Sequence, residues 1–158
     1  MILCSIDSST KATGMCQYEN GEYKTHVLLD HHKVKDVDER MDLMIESMIH
    51  QLQKWNPDIV WIEQPKGAMN VEMTRKLAEI LGAVRCWCIC RKREYHEIMP
   101  SQWRKWLPGY EQGGKSRNEL KEESIRYVKK HLGIDCTDDE ADSICQGRAV
   151  LEYYKSIN

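Results

Sequence analysis

The 158-residue chain contains no phenylalanine, and its apolar residues are scattered rather than run together. No stretch approaches the roughly 18 consecutive apolar residues that a membrane span needs, so no membrane association is expected. The opening MILCSIDSST has no basic leader region and turns polar at once, which predicts no signal peptide and a cytoplasmic protein. Internal repeats, low-complexity tracts and linkers are missing, and PGYEQGG at 108–114 is the only clear flexible loop. The length then suits one compact domain over residues 1–158. Seven cysteines without a secretion signal read as reduced thiols rather than a disulfide framework.

The net charge of −2 hides an uneven distribution. Residues 1–65 carry 6 Lys and Arg against 11 Asp and Glu, residues 66–132 carry 15 against 8, and residues 133–158 carry 2 against 6. Acidic ends around a basic middle can set a cationic surface beside a carboxylate cluster, an arrangement suited to an anionic polymer handled by metal ions. Taken alone, the same counts favour ordinary solvated charge.

ILCSID (2–7) is short, apolar and ends in an acid, as a central strand would. TGMCQYE (13–19), the turn Asn20-Gly21 and EYKTHVLLDHH (22–32) read as a hairpin, because Asn-Gly takes the positive φ of a tight turn. The first three strands are therefore expected to be antiparallel neighbours. Asp36 with Glu39 marks a helix start, and Met41, Met44, Ile45, Met48, Ile49, Leu52 and Trp55 repeat with helical period. IVWIE (59–63) is a buried strand that again ends in an acid. A second helix is expected over 70–83, a fifth strand over AVRCWCIC (83–90), and a short helix after Pro100. Ser116 with Glu119, and Thr137 with Glu140, form capping boxes for two further helices, to about His131 and about Tyr154. The order βββαβαβααα predicts an α/β fold with a five-stranded mixed sheet flanked by helices.

DDEADS (138–143) packs four carboxylates into six positions. Asp138, Asp139 and Glu140 fall in a first helical turn, where acids favour the helix dipole by about 0.3–1 kcal/mol each. Asp142 lies beyond that turn. It shares a face with Asp139, at the rim of the apolar stripe Ala141, Ile144, Cys145, Ala149. Asp7 and Glu63 end central strands, where α/β sheets border their usual crevice. Each acid alone is readily structural. Together, Asp7, Glu63, Asp139 and Asp142 can form an all-oxygen cage, a donor set suited to Mg2+ or Mn2+. Two such ions about 3.5–4 Å apart can activate a water and steady the leaving oxygen in phosphodiester hydrolysis.

CSIDSSTKATG (4–14), IVWIEQP (59–65) and DDEADSICQGRA (138–149) resemble the three acidic motifs of RuvC-type Holliday junction resolvases, in the RNase H-like superfamily. Asp7, Glu63, Asp139 and Asp142 match the family's order and spacing. The Ala141-Asp142 pair sets the register, which leaves Asp138 outside the ligand set. The resemblance implies an RNase H-like fold, a homodimer, and Mg2+-dependent paired nicking of four-way DNA junctions, with two ions per active site, Mn2+ as a substitute and no small-molecule cofactor. Ser8-Ser9 stand where cellular members carry Pro-Gly. Residues 65–69, ending in Met69, occupy the loop that holds the family's junction-probing aromatic, so Met69 takes that place against DNA. PSQWRKWLPGYEQGGKSRNELKEESIRYV (100–128) is closer in look to bacteriophage RuvC-like enzymes. That implies a phage or prophage protein working in the bacterial cytoplasm, on branched DNA more broadly.

The family's essential lysines fall in the basic middle. Lys121 matches best by its spacing to Val128, with Lys115 and Arg117 beside it, and the implied role is gripping phosphates near the scissile bond. The bland alternative is a solvated helix face paired with Glu122 and Glu123. Trp103, Arg104, Lys105 and Trp106 interleave rings with cations, which permits stacking on unpaired bases, although at least one of the two Trp is expected in the core. Cys86, Cys88 and Cys90 alternate as on one strand face, but lack the usual C-x2-C turn of a zinc site. DSSTKATG also resembles the first phosphate loop of actin-like ATPases, but no second phosphate loop is present. The leading expectation is a junction-resolving endonuclease. An RNase H-like nuclease for other branched DNA or RNA–DNA hybrids, and a non-catalytic junction-binding protein, stand as alternatives. The exposed side of the 70–83 helix is the expected dimer interface.

Overall fold

The computed structural model describes residues 1–64 and 70–157. The expected DNA contact at Met69 lies outside the described residues. The elements follow as β1 (Ile2–Asp7), β2 (Ala12–Glu19), β3 (Glu22–Asp30), α1 (Val37–Trp55), β4 (Ile59–Glu63), α2 (Val71–Arg91), β5 (Glu94–Ile98), α3 (Pro100–Trp106), α4 (Arg117–Leu132) and α5 (Asp138–Ile157). The five strands form one mixed sheet in the order β3-β2-β1-β4-β5. The β1–β2 and β2–β3 pairs are antiparallel, and β4 runs parallel to both β1 and β5. The element order and the antiparallel first three strands are as the sequence predicts.

Local chemistry explains most boundaries. Asn20 and Gly21 both take positive φ, 53° and 86°, in the turn that closes the β2–β3 hairpin. The side chain of Asp36 accepts from the Glu39 amide at 2.8 Å and starts α1, which buries Met41, Met44, Met48 and Leu52. Ser116 and Glu119 complete the capping box of α4. Thr137 and Glu140 exchange the equivalent bonds before α5, at 2.8 and 3.4 Å.

One expected strand is a helix. Residues 83–90 are the last two turns of α2, and the fifth strand is Glu94–Ile98. The cysteines at every second position mimic strand alternation. Burial instead follows Ile80, Leu81, Val84, Trp87 and Cys88, with helical spacing, while Cys86 and Cys90 are exposed. Lys92 then ends the helix in the left-handed region, with φ 54°. The three cysteines therefore do not share a face, which removes the strand-face zinc arrangement. The true fifth strand, EYHEI, is polar and only partly buried at the sheet edge, so it carries little apolar signal.

Period-two alternation assigns the two faces of the sheet. Cys4, Ile6, Val60 and Ile62 point into a core built with α1 and α2. Leu3, Ile59 and Trp61 point the other way, into the core built with α3, α4 and α5. Continuing the alternation by one step carries both Asp7 and Glu63 to the α5 side.

Candidate active site

Ile6 of β1 lies beside Ile62 of β4 in the parallel register. Asp7 and Glu63 are the next residues on their strands and end side by side. Asp7 is also the cross-strand partner of Gly14 on β2. Gly14 matters because it has no side chain: a Cβ there would stand 2.0 Å from the carbonyl oxygen of Asp139. The first turn of α5 rests in that gap. Further along α5, Gly147 lets the helix lie against Ser5 and Tyr18, and a Cβ there would stand 2.5 Å from the Ser5 hydroxyl. Ser5 donates to the Ser143 carbonyl at 2.7 Å, and Gln146 donates to the Trp61 carbonyl at 3.1 Å. The helix is thus seated directly on β1, β2 and β4, and it brings Asp139 and Asp142 to the ends of the strands carrying Asp7 and Glu63.

All four acids line one cleft of about 700 Å3. Burial and neighbouring charge act on them together. Burial first, and then Glu63, Asp142 and Asp139, raise the Asp7 carboxyl well above its ordinary value. Burial and the neighbouring Asp138 raise Asp139 to about 6. Burial also raises Asp142, against opposing pulls from the Ser124 hydroxyl and the Arg104 guanidinium. Carboxylates crowded in this way are stabilised by a cation set among them.

The supporting contacts come from α3 and α4. Trp103 Nε1 donates to Glu63 Oε2 at 2.9 Å. Ser124 Oγ donates to Asp142 Oδ1, and Tyr110 lies 2.8 Å behind it. Arg104 approaches Asp142 Oδ2 at 3.7 Å. The sequence reading did not find Ser124, Tyr110 or the Trp103 bond. Ser124 is three residues after Lys121, so helical spacing alone puts it on the cleft side of α4.

The predicted cations divide into two groups. Lys115, Arg117, Lys121 and Arg104 all line the same cleft as the acids. Lys121 pairs with Asp138, whose carboxyl is left below its ordinary value despite burial. Asp138 is thereby engaged by a side chain. Lys115 is tied at 2.7 Å to buried Glu123, so one partner of the bland alternative is real. Lys105 is exposed and lies away from the cleft lining. Trp103 is fully buried, and Trp106 is half-buried and stacked on Tyr153 at 4.2 Å. Trp103 is therefore a core residue, not a stacking platform for bases.

The donor set is four carboxylates with no thiolate or imidazole among them, which fits a hard divalent ion. Among the described residues, no three His, Cys, Asp or Glu side chains stand as a finished ligand set. Oxygens of Glu63 and Asp142 are turned instead to Trp103, Ser124 and Arg104. An ion entering the cleft competes with those donors.

A strand-end acid pair faced by a helix-borne pair, on a five-stranded mixed sheet, is the architecture of an RNase H-like nuclease. The family model described as crossover junction endodeoxyribonuclease RuvC matches residues 3–146, a span that includes all four acids. RuvC of Thermomicrobium roseum is 25% identical over 120 residues, covering 76% of this chain and 72% of that protein. Among solved structures, T. thermophilus RuvC in complex with a Holliday junction substrate matches with a TM-score of 0.76 at 17% identity, over 99% of this chain and 96% of that one. The yeast mitochondrial Holliday junction resolvase matches with a TM-score of 0.62 at 16% identity, over 98% and 79%. At these identities the structural likeness speaks for the fold. The chain belongs to the RuvC family, and is thus a structure-selective endonuclease of crossover junctions. Among the described residues no helix is long and apolar enough to cross a membrane.

Proposed function

We propose that Asp7, Glu63, Asp139 and Asp142 hold divalent ions, Mg2+ with Mn2+ as a substitute, and that a homodimer uses two such sites to nick paired strands of a four-way DNA junction. The observation that carries this is the convergence of four acids from three separate elements on one cleft, where burial and the neighbouring carboxylates raise Asp7 and Asp139 above their ordinary values. When bound, the ions lower the pKa of a water and stabilise the departing oxygen. The chain's own part is positional. The carboxylates present their oxygens from three directions. Trp103 and Ser124 fix the orientation of Glu63 and Asp142. Lys115, Arg117 and Lys121, all at the cleft, grip backbone phosphates and set the register of the strand. Water adds to phosphorus, the bond from phosphorus to the deoxyribose 3′ oxygen breaks, and that oxygen takes up a proton, leaving a 5′-phosphate and a 3′-hydroxyl that a ligase can seal. Two-fold symmetry of the dimer matches that of the junction, so each strand of a pair meets one site.

The test is a panel of an immobile four-way junction, a linear duplex, a Y-fork and an RNA–DNA hybrid, each with Mg2+, Mn2+ or EDTA. The expected result is paired, metal-dependent nicks in the junction. Cleavage of the hybrid without the junction would favour the RNA–DNA reading, and junction binding without any cleavage would favour a binding protein.

A further inference from the structure

Two consecutive residues of α3 reach both walls of the acid cluster. Trp103 holds Glu63 on β4, and Arg104 stands beside Asp142 on α5. Ser124 takes the other oxygen of Asp142, so the two oxygens of that carboxylate face a hydroxyl and a guanidinium. Arg104 differs from the other cations of the cleft. It is 8% exposed, whereas Arg117 is exposed and Lys115 and Lys121 are partly exposed. It leans on the Trp103 ring, 4.8 Å from the centroid, and among the described residues its Nε is buried without a hydrogen-bond partner.

An arginine does not give up its proton in a protein, so its charge is permanent. Burying that charge is costly unless it answers charge of the opposite sign. Here the opposite sign is supplied by a cluster with more carboxylates than buried cations among the described residues. A phosphate-gripping side chain has to reach the cleft mouth, as Arg117 does. Arg104 is set deeper, against a carboxylate whose second oxygen is already held.

We propose that Arg104 is a built-in counter-charge and positioning residue for the acid cluster: it holds Asp142 in place in the metal-free protein, and divalent ions enter against its fixed positive charge. This rests on the proposed metal role of the acids. It also gives Arg104 a different task from the DNA contact that its place in the basic segment suggests.

The two consequences have opposite signs, which separates this role from plain structural support. Loss of a support weakens folding and metal binding together. Loss of a counter-charge weakens the metal-free fold but strengthens ion binding. The experiment titrates Mn2+ into the DNA-free protein, following free Mn2+ by electron paramagnetic resonance, alongside thermal melting with and without Mn2+. The proteins are wild type, Arg104→Met, Arg104→Gln, Arg104→Lys and Asp142→Asn. The two neutral variants are expected to bind Mn2+ roughly three- to tenfold more tightly than wild type. They should melt earlier without metal and gain more from saturating Mn2+. Arg104→Lys, which keeps the charge, should stay near wild type. Unchanged or weaker Mn2+ binding by both neutral variants overturns the proposal, as does a lysine variant that behaves like them. A wild type that binds no Mn2+, or binds it equally after Asp142→Asn, overturns the metal reading of the acids and this inference with it.

Discussion

Asp142 carries the most constraints of any single residue in the cleft. It is buried, its two oxygens face Ser124 and Arg104, and it shares a helix face with Asp139. Removing the Ser124 hydroxyl leaves Asp142 in place but lets it turn. Ser124→Ala is expected to lower junction nicking by about 10- to 100-fold, the range for losing an outer-shell partner, with junction binding unchanged in a gel-shift assay. Asp139 makes a prediction about pH. Its carboxyl is raised to about 6 in the folded protein, above its value in the unfolded chain. A raised acid favours folding while it is protonated, and that contribution is lost as pH rises from about 4 through about 6. Over that window Asp139 should therefore lower the melting temperature of the metal-free protein relative to Asp139→Asn. Asp139→Asn should flatten the loss and raise the melting temperature at neutral pH, as read by calorimetry in EDTA. A wild-type stability that climbs from pH 4 to 6 as steeply as in the variant would contradict this. The acids themselves were readable in the sequence, because each follows an apolar strand or sits past a helix cap. Their supports were not: Ser124, Tyr110 and the indole of Trp103 are ordinary core residues until the helices that carry them are placed.

The elements owe their arrangement to small contacts that a pattern of apolar residues does not encode. α5 meets the sheet at Gly14 and Gly147, where backbone and helix touch. Gly14→Ala would drive a methyl into the Asp139 carbonyl. The expected cost is about 1–3 kcal/mol, as for other overpacked sites, read by urea denaturation, with weaker Mn2+ binding because Asp139 moves with its helix. An equally stable, fully active Gly14→Ala protein would show that α5 does not rest on that gap. Capping boxes made α4 and α5 legible and Asn20-Gly21 the hairpin, while helical periodicity did the same for α1. It failed at residues 83–90, where Cys86, Cys88 and Cys90 imitate a strand although Val84, Trp87 and Cys88 bury at helical spacing. The fifth strand was missed for a related reason: Glu94, His96 and Glu97 lie on a partly covered edge, where polar residues are tolerated.

At the scale of the whole molecule, the charge order of the sequence becomes a surface. The acidic ends of the chain supply β1 and α5, the basic middle supplies α3 and α4, and they meet around one cleft. Junction binding should weaken steeply with salt, because the lysines and arginines release counter-ions from phosphates. Arg117→Ala should lower the salt slope by about one, without changing which DNA structure is preferred. The proposed homodimer answers the need to cut two symmetric strands. Light scattering at micromolar concentration should report twice the chain mass, and a monomer that still makes paired cuts would refute it. The proposed activity is cleavage of a branched junction by a carboxylate cage for divalent ions. The most direct measurement is a time course of nicking on a four-way junction with Mg2+ or EDTA, for wild type and Asp142→Asn. Wild type should nick both strands of a symmetric pair with Mg2+ and neither in EDTA, and the variant should make no nick. Cleavage that persists in EDTA, or that survives Asp142→Asn, would contradict the proposal.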